Sequence, residues 1–259
     1  MEIQEIEVNS FLTKSKSFDH VFNPYRGCMH RCKYCYAHYM KDYTQHKEAW
    51  GDYVDVKKIK RYHIPKNAKR IMLSSVTDPY QPIEAKYKVT RNALKHLIGF
   101  SGTVSILTKS KLVTRDIDLF KQMEHVEVGM SIATVDEKFR RIMEEGASPI
   151  KERMEALKKI HDAGITTYVF VAPMLPKLTN YKEIIRESKP YVDYYMFDTL
   201  RLKGENKTWV MEEIKKHAPT LLPLYQQIYN QGKRHYFELL SKQIEEFCIQ
   251  EKVEYQLFF

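Results

Sequence analysis

The stretch Gly27-Cys28-Met29-His30-Arg31-Cys32-Lys33-Tyr34-Cys35-Tyr36 holds three of the chain's four cysteines, spaced C-x3-C-x2-C. Thiolates this close together on one loop suit a soft metal centre: zinc, copper(I) or an iron–sulfur cluster. No fourth thiol accompanies them, since Cys248 lies far along the chain. Structural zinc takes four protein ligands, whereas a cluster or a catalytic metal can leave one position open for a reacting ligand. Zinc with His30 or His38 as the fourth ligand stays open on the loop alone, although zinc fingers usually separate two ligand pairs by a longer loop. A disulfide fits a three-plus-one count poorly.

Outward from this loop, the composition is that of a soluble globular protein. Of the 259 residues, 43% are hydrophobic and 29% charged, enough to bury a core without disulfides in one barrel-sized α/β domain or two smaller ones. The opening MEIQEIEVNS is acidic and lacks the basic and apolar regions of a signal peptide. No apolar run has the length of a membrane-spanning helix, so a cytoplasmic protein with no membrane partner is expected. The net charge of +9 is concentrated early, with 22 lysines and arginines against 14 acids in residues 1–130. One run, Lys57, Lys58, Lys60, Arg61, Lys66, Lys69 and Arg70, contains no acid. Such a run suits a phosphate backbone or a solvated loop.

Short β-rich runs then alternate with helical patterns. Strands are expected at His20–Asn23, Arg70–Val76, Thr103–Thr108, Val126–Ile132, Thr166–Ala172 and Val192–Phe197. Helices are expected near Tyr36–Lys47, Ala85–Phe100, Thr114–Met123, Asp136–Met143, Ile150–Ala163 and Tyr181–Ser188. This rhythm argues for βα units around a parallel sheet. Asp162-Ala163-Gly164 reads as a helix stop, and Ser148-Pro149 as a helix start. From Lys207 the chain reads as mostly helical, ending in the apolar, strand-like Val253–Phe259.

The cysteine spacing, with Tyr34 just before the last cysteine, resembles the cluster motif of the radical S-adenosylmethionine (radical SAM) superfamily. Further stretches are similar to its spore photoproduct lyase-like branch: Thr77-Asp78-Pro79-Tyr80-Gln81-Pro82, Thr108-Lys109, Ser131-Ile132, Glu144-Glu145-Gly146-Ala147-Ser148-Pro149 and Val171-Ala172-Pro173. Glu145 stands where lyase-like members carry proline. The resemblance implies a partial (β/α)6 TIM-type barrel over residues 21–203, preceded by an extension, 1–20, and followed by a mainly helical one, 204–259. It implies a [4Fe-4S] cluster on Cys28, Cys32 and Cys35, with S-adenosylmethionine (SAM) chelating the fourth iron. It also implies reductive cleavage of SAM to a 5′-deoxyadenosyl radical that abstracts hydrogen from a substrate. An external electron donor of flavodoxin or ferredoxin type follows from that chemistry.

Active sites of parallel α/β barrels lie where strands end and loops begin. The resemblance accordingly implies Ser75, Thr77 and Asp78 near the SAM amino group, and Lys109 at its carboxylate, where a cation makes physical sense. Ser131 is expected at the ribose, Ala172 and Pro173 against the adenine, and Arg153 at the carboxylate or as a cap on the barrel. Tyr34 and Tyr36 flank the last cysteine, with Tyr36 the expected hydrogen-atom relay or an adenine contact. Asp198 and Arg201 follow the sixth strand, facing substrate or pairing with each other. Photoproduct lyases use a further cysteine as hydrogen donor; this chain has none in the barrel, which sets it apart from lesion repair. A nucleic acid is the first expectation for the substrate, a peptide or small molecule the second. A nucleic-acid-binding protein with a structural metal site is the reading from a different class.

Overall fold

The computed structural model describes residues 1–15 and 18–259. Its strands, in chain order, are β1 Glu2–Val8, β2 Thr13–Lys14, β3 His20–Phe22, β4 Tyr25–Arg26, β5 Tyr53–Ile59, β6 Arg70–Leu73, β7 Thr103–Thr108, β8 Val126–Ser131, β9 Thr166–Met174, β10 Tyr194–Thr199 and β11 Glu254–Leu257. The main sheet has the order β11-β10-β9-β8-β7-β6-β3-β2, parallel throughout except for β2. Six βα units from β3 to β10 form the partial TIM-type barrel. Strands β6 to β9 are buried along most of their length, because side chains on both faces are covered, while β10 buries alternate residues. Fully buried Ile71, Leu73, Ile106, Val128, Val169 and Phe197 form this core. Each such side chain contributes about 1.5–3 kcal/mol through removal from water.

Several expected helices are shorter or tighter. The segment after the cysteines forms a 3-10 helix, Tyr36–Tyr43. The run at 85–100 breaks at Lys88, whose φ of 54° is left-handed, into Glu84–Tyr87 and Val89–Leu97. A 3-10 turn at Lys111–Asp116 precedes the short helix Ile117–Phe120. The helix Ile150–Asp162 stops as expected, with Gly164 at φ +80°.

The two ends of the chain complete the sheets. After residue 203 the helices Glu205–His217, Leu222–Tyr229 and His235–Glu251 are followed by β11, which falls within the strand-like Val253–Phe259 and adds a seventh parallel strand beside β10. The segment before residue 21, of which Lys16 and Ser17 lie outside the described residues, is no loose extension. Its strand β1 pairs in parallel with β5 in a separate three-stranded sheet, β1-β5-β4. The register sets acids against the basic run, and Lys58 and Lys60 pair with Glu5 and Glu7. Arg70 pairs with Glu127 on β8, and Lys57 is half-buried. Much of the basic run is therefore neutralised within the fold.

Candidate active site

The cysteine loop crosses the carboxyl-terminal ends of β6 to β10. There Cys28, Cys32 and Cys35 open onto one cavity of about 280 Å³. Distant residues hold the loop. Gly27 has φ +82°, and a Cβ there would lie 2.2 Å from the Tyr53 main-chain oxygen, so only glycine passes β5. Gln81, fully buried, donates to the Gly27 oxygen at 3.2 Å and accepts from the Met29 N–H at 2.8 Å. On the other side the Gly146 N–H donates to the His30 oxygen at 3.1 Å, and the Lys33 N–H to Met143 at 2.9 Å. A Cβ at Gly146 would meet the Met29 main-chain oxygen at 2.1 Å.

Asp78 lines the cavity, but its carboxylate is engaged inside the protein. It receives Thr108 Oγ1 at 2.6 Å, the Lys109 N–H at 2.8 Å and the Tyr80 N–H at 2.8 Å, and it faces His30 Nε2 at 3.1 Å. Burial works against its charge, yet His30 and these hydrogen bonds hold the carboxyl down at about 2. Thr77 is likewise turned to the loop, donating to the Gly27 oxygen at 2.6 Å. The Ser75 N–H donates to Asn23 Oδ1 at 2.9 Å, and its carbonyl accepts the Tyr36 hydroxyl.

Ser74, a residue that sequence reasoning passed over, sits in the left-handed region at φ +73°. Ser74 lines the cavity, and its buried hydroxyl has no hydrogen-bond partner among the described residues. A non-glycine residue held there and an unsatisfied buried hydroxyl both mark places where binding is served before packing.

Lys109 lines the cavity with its ammonium 5.6 Å from the Tyr34 ring centre, and among the described residues no carboxylate lies within ion-pair distance. Burial works to discharge it, but the Cys32 sulfur and Glu144 keep it charged. Ser131 lines the cavity and donates to the Ala172 oxygen at 3.0 Å; Ala172 and Pro173 line it too. Asp198 and Arg201 reach the rim and pair with each other at 2.9 Å.

Of the two placements open to Arg153, the geometry favours the cap over the SAM carboxylate. It does not line the cavity but lies fully buried behind it, held to Glu144 and donating to the Ser131 oxygen at 2.9 Å and the Ser148 oxygen at 2.7 Å. A guanidinium so enclosed has no donor turned toward a ligand; it caps the barrel. Its partner Glu144, buried and below the usual carboxylate range through Arg153 and Lys109 despite its burial, accepts the Tyr34 hydroxyl. Tyr34 thus presents its ring to the cavity and its oxygen to the interior, while Tyr36 stays 55% exposed. Cys248 is buried against the core, away from the cavity.

The donor set fits a polynuclear cluster. A mononuclear tetrahedral zinc with Zn–S bonds near 2.3 Å draws its sulfurs to about 3.8 Å from one another. Among the described residues, Glu2, His46 and Glu48 form the one trio of His, Cys, Asp or Glu ligand atoms within 4.8 Å of one another, so at least one pair of the cysteine sulfurs lies farther apart than that. Burial pushes the Cys32 thiol up to about 12, so bound metal charge is what would hold these sulfurs as thiolates. The unpaired ammonium of Lys109 and the unpartnered Ser74 hydroxyl sit on the same cavity, ready for a polar, carboxylate-bearing ligand.

Comparison with known proteins agrees with this geometry. The Radical SAM superfamily signature matches residues 22–187. An uncharacterised protein of Methanocaldococcus jannaschii is 40% identical over 200 residues, 75% of each chain. A spore photoproduct lyase solved with AdoMet and dinucleoside spore photoproduct overlays with a TM-score of 0.57 at 19% identity, covering 80% of this chain and 63% of the lyase. SuiB of Streptococcus suis, bound to S-adenosylmethionine, overlays with a TM-score of 0.56 at 11% identity, covering 92% of this chain and 50% of SuiB. This chain therefore spans less than two thirds of either solved structure, and at these identities the likeness is one of fold. The family match, together with the fold and the cysteine loop, establishes that the chain belongs to the radical SAM superfamily and is an enzyme of SAM-dependent radical chemistry.

Proposed function

We propose that the cavity holds a [4Fe-4S] cluster on Cys28, Cys32 and Cys35 beside SAM, with the fourth iron left to SAM. When bound, the pair supplies reductive cleavage of SAM and a carbon-centred radical that takes hydrogen from a substrate. The observation that carries this reading is the meeting on one cavity of three cysteines and the Lys109 ammonium, which has no ion-pair partner among the described residues. Lys109 holds the SAM carboxylate, and Ser74, on the same cavity, has a buried hydroxyl without a hydrogen-bond partner among the described residues. Ala172 and Pro173 offer an apolar floor for the adenine. Tyr34 and Tyr36 wall the reacting region, and the strands behind them exclude water. The electron comes from an external carrier of flavodoxin or ferredoxin type.

For the substrate, a nucleic-acid component is the reading we favour. Its support is the aromatic rim: Tyr36 at the cavity, with Tyr39 and Tyr43 exposed on the same 3-10 helix, is suited to base stacking beside the Arg201 guanidinium. The paired basic strand β5 gives it little help. A peptide is the second reading, supported by the fold shared with SuiB, which has been solved with its precursor peptide SuiA.

The test is anaerobic reconstitution with iron and sulfide, reduction with dithionite, and chromatography for 5′-deoxyadenosine. Release of 5′-deoxyadenosine supports the reading, and oligonucleotides or peptides that accelerate it name the substrate class. Zinc uptake in place of iron and sulfide would overturn it.

A further inference from the structure

We infer that the β1–β5 sheet carries a second metal site, for a divalent transition-metal cation, built from Glu2, His46 and Glu48. One ligand atom from each lies within 4.8 Å of the others. The imidazole is the centre of the argument, since its side chain is only 4% exposed and both ring nitrogens are fixed. Nε2 lies 2.6 Å from the buried carboxylate of Asp55, which is itself held by Gln4 at 2.8 Å. The Gln4 amide nitrogen also lies 3.1 Å from Nε2, and Nδ1 faces Glu48 Oε2 at 3.3 Å. The ring thus stands between two carboxylates, an arrangement that either a second ring proton or a bound cation balances, and the Mn²⁺ titration below tells the two apart. A carboxylate that fixes one nitrogen of a histidine while the other faces a ligand position is the usual support of a metal-bound imidazole.

Charge points the same way. The Glu2 carboxyl also meets Glu48, and Asp55 adds a third acid. Among the described residues no lysine or arginine lies within ion-pair distance of any of the three. The lysines of β5 are spent further along, on Glu5 and Glu7. One imidazole with carboxylates suits Mn²⁺, Co²⁺, Ni²⁺ or Zn²⁺. Such an ion would tie β1 to the segment that leads from the cysteine loop, where Trp50 packs near Cys28 and Cys35.

The probe is Mn²⁺, which the soft thiols do not favour. Full-length protein stripped with chelator is titrated with Mn²⁺, and the loss of the free-ion EPR signal is read. One Mn²⁺ per chain is expected, with Glu48→Gln weakening it about tenfold or more and Cys32→Ala leaving it unchanged. Glu48 is partly exposed, so its isosteric change spares folding; His46→Gln is the second variant and should abolish the site. No stoichiometric Mn²⁺, or Mn²⁺ that survives Glu48→Gln and His46→Gln while falling with Cys32→Ala, overturns the assignment. These outcomes are independent of SAM cleavage, so this inference and the proposed function fail separately.

Discussion

Arg153 and Glu144 form an ion pair in which neither side chain is more than 1% exposed. The pair lies behind the cavity, and through Glu144 it fixes the Tyr34 hydroxyl, while Cys32 bridges the Glu144 main chain. Removing one member of a buried pair strands the other charge, at a cost of about 3–5 kcal/mol. Arg153→Met is therefore expected to lose that much stability in urea denaturation of the cluster-free protein. Tyr34→Phe, which deletes one hydrogen bond to the carboxylate, should lose about 1–3 kcal/mol. Equal stabilities for wild type and Arg153→Met would remove the pair from its structural role.

Cys32→Ala is expected to abolish 5′-deoxyadenosine formation and to lower the iron bound per chain. A variant that still cleaves SAM would sink the cluster assignment.

Lys109→Ala should separate cofactor binding from cluster assembly. Loss of one charge-assisted hydrogen bond, about 1.5–3 kcal/mol, corresponds to roughly 10- to 100-fold weaker SAM binding. Iron and sulfide content should match wild type. Equilibrium dialysis with labelled SAM, beside metal analysis, reads both.

Lys57 shows why a basic run need not be a basic surface. Burial, helped by Arg26 and opposed by Asp55, pulls its ammonium down to about 8 from 10.5. Between those values the unfolded chain holds a proton that the folded chain has released, so stability rises with pH through that window. Lys57→Met should gain about 1–2 kcal/mol at pH 7, and less than half of that gain should remain at pH 9.5. Urea midpoints at the two pH values decide it.

If nucleic acid is the substrate, its phosphates are expected at the cavity rim rather than on β5. Lys58→Gln with Lys60→Gln should leave oligonucleotide affinity and its salt slope unchanged, because those lysines already face Glu5 and Glu7. Asp198 engages only Nη2 of Arg201, which leaves the rest of the guanidinium for a phosphate, so Arg201→Gln should lower the slope by about 0.9, the share of one contact. Fluorescence anisotropy across salt concentrations distinguishes the two. The reverse result would restore the β5 run as the contact surface.

The parallel strands were legible because each is a short apolar run closed by polar residues at the barrel mouth; β7 falls at the expected Thr103–Thr108. The β1–β5 sheet was not. EIQEIEV reads as an acidic leader and YVDVKKI as the start of a charged run, and only their register, Glu2 opposite Tyr53, turns both into strands. At the cavity, the sequence points to the cysteines, Lys109 and Ser131 through strand ends and spacing. It cannot show which polar groups are already satisfied. Asp78 and Arg153 look available in one dimension and are fully engaged in three, whereas Ser74 looks like its neighbour Ser75 and is the hydroxyl left free. Gln81 and Glu144 carried one usable signal, a polar side chain flanking a glycine- or proline-rich turn, but their partners lie 52 and 110 residues away.

The bonds that pin His30 to Gly146 and Lys33 to Met143 also set a timetable. The cysteines leave the ribosome about 110 residues before the segment that straps them down, a delay of roughly 6–20 s at ordinary rates of synthesis. Until then the three sulfurs sit on a loop with no fixed spacing, open to stray metals and oxidants. If the proposed cluster is what the loop holds, its assembly runs in one order: the chain first grows past Gly146, the strap closes, and iron and sulfide reach a finished socket and not a nascent loop.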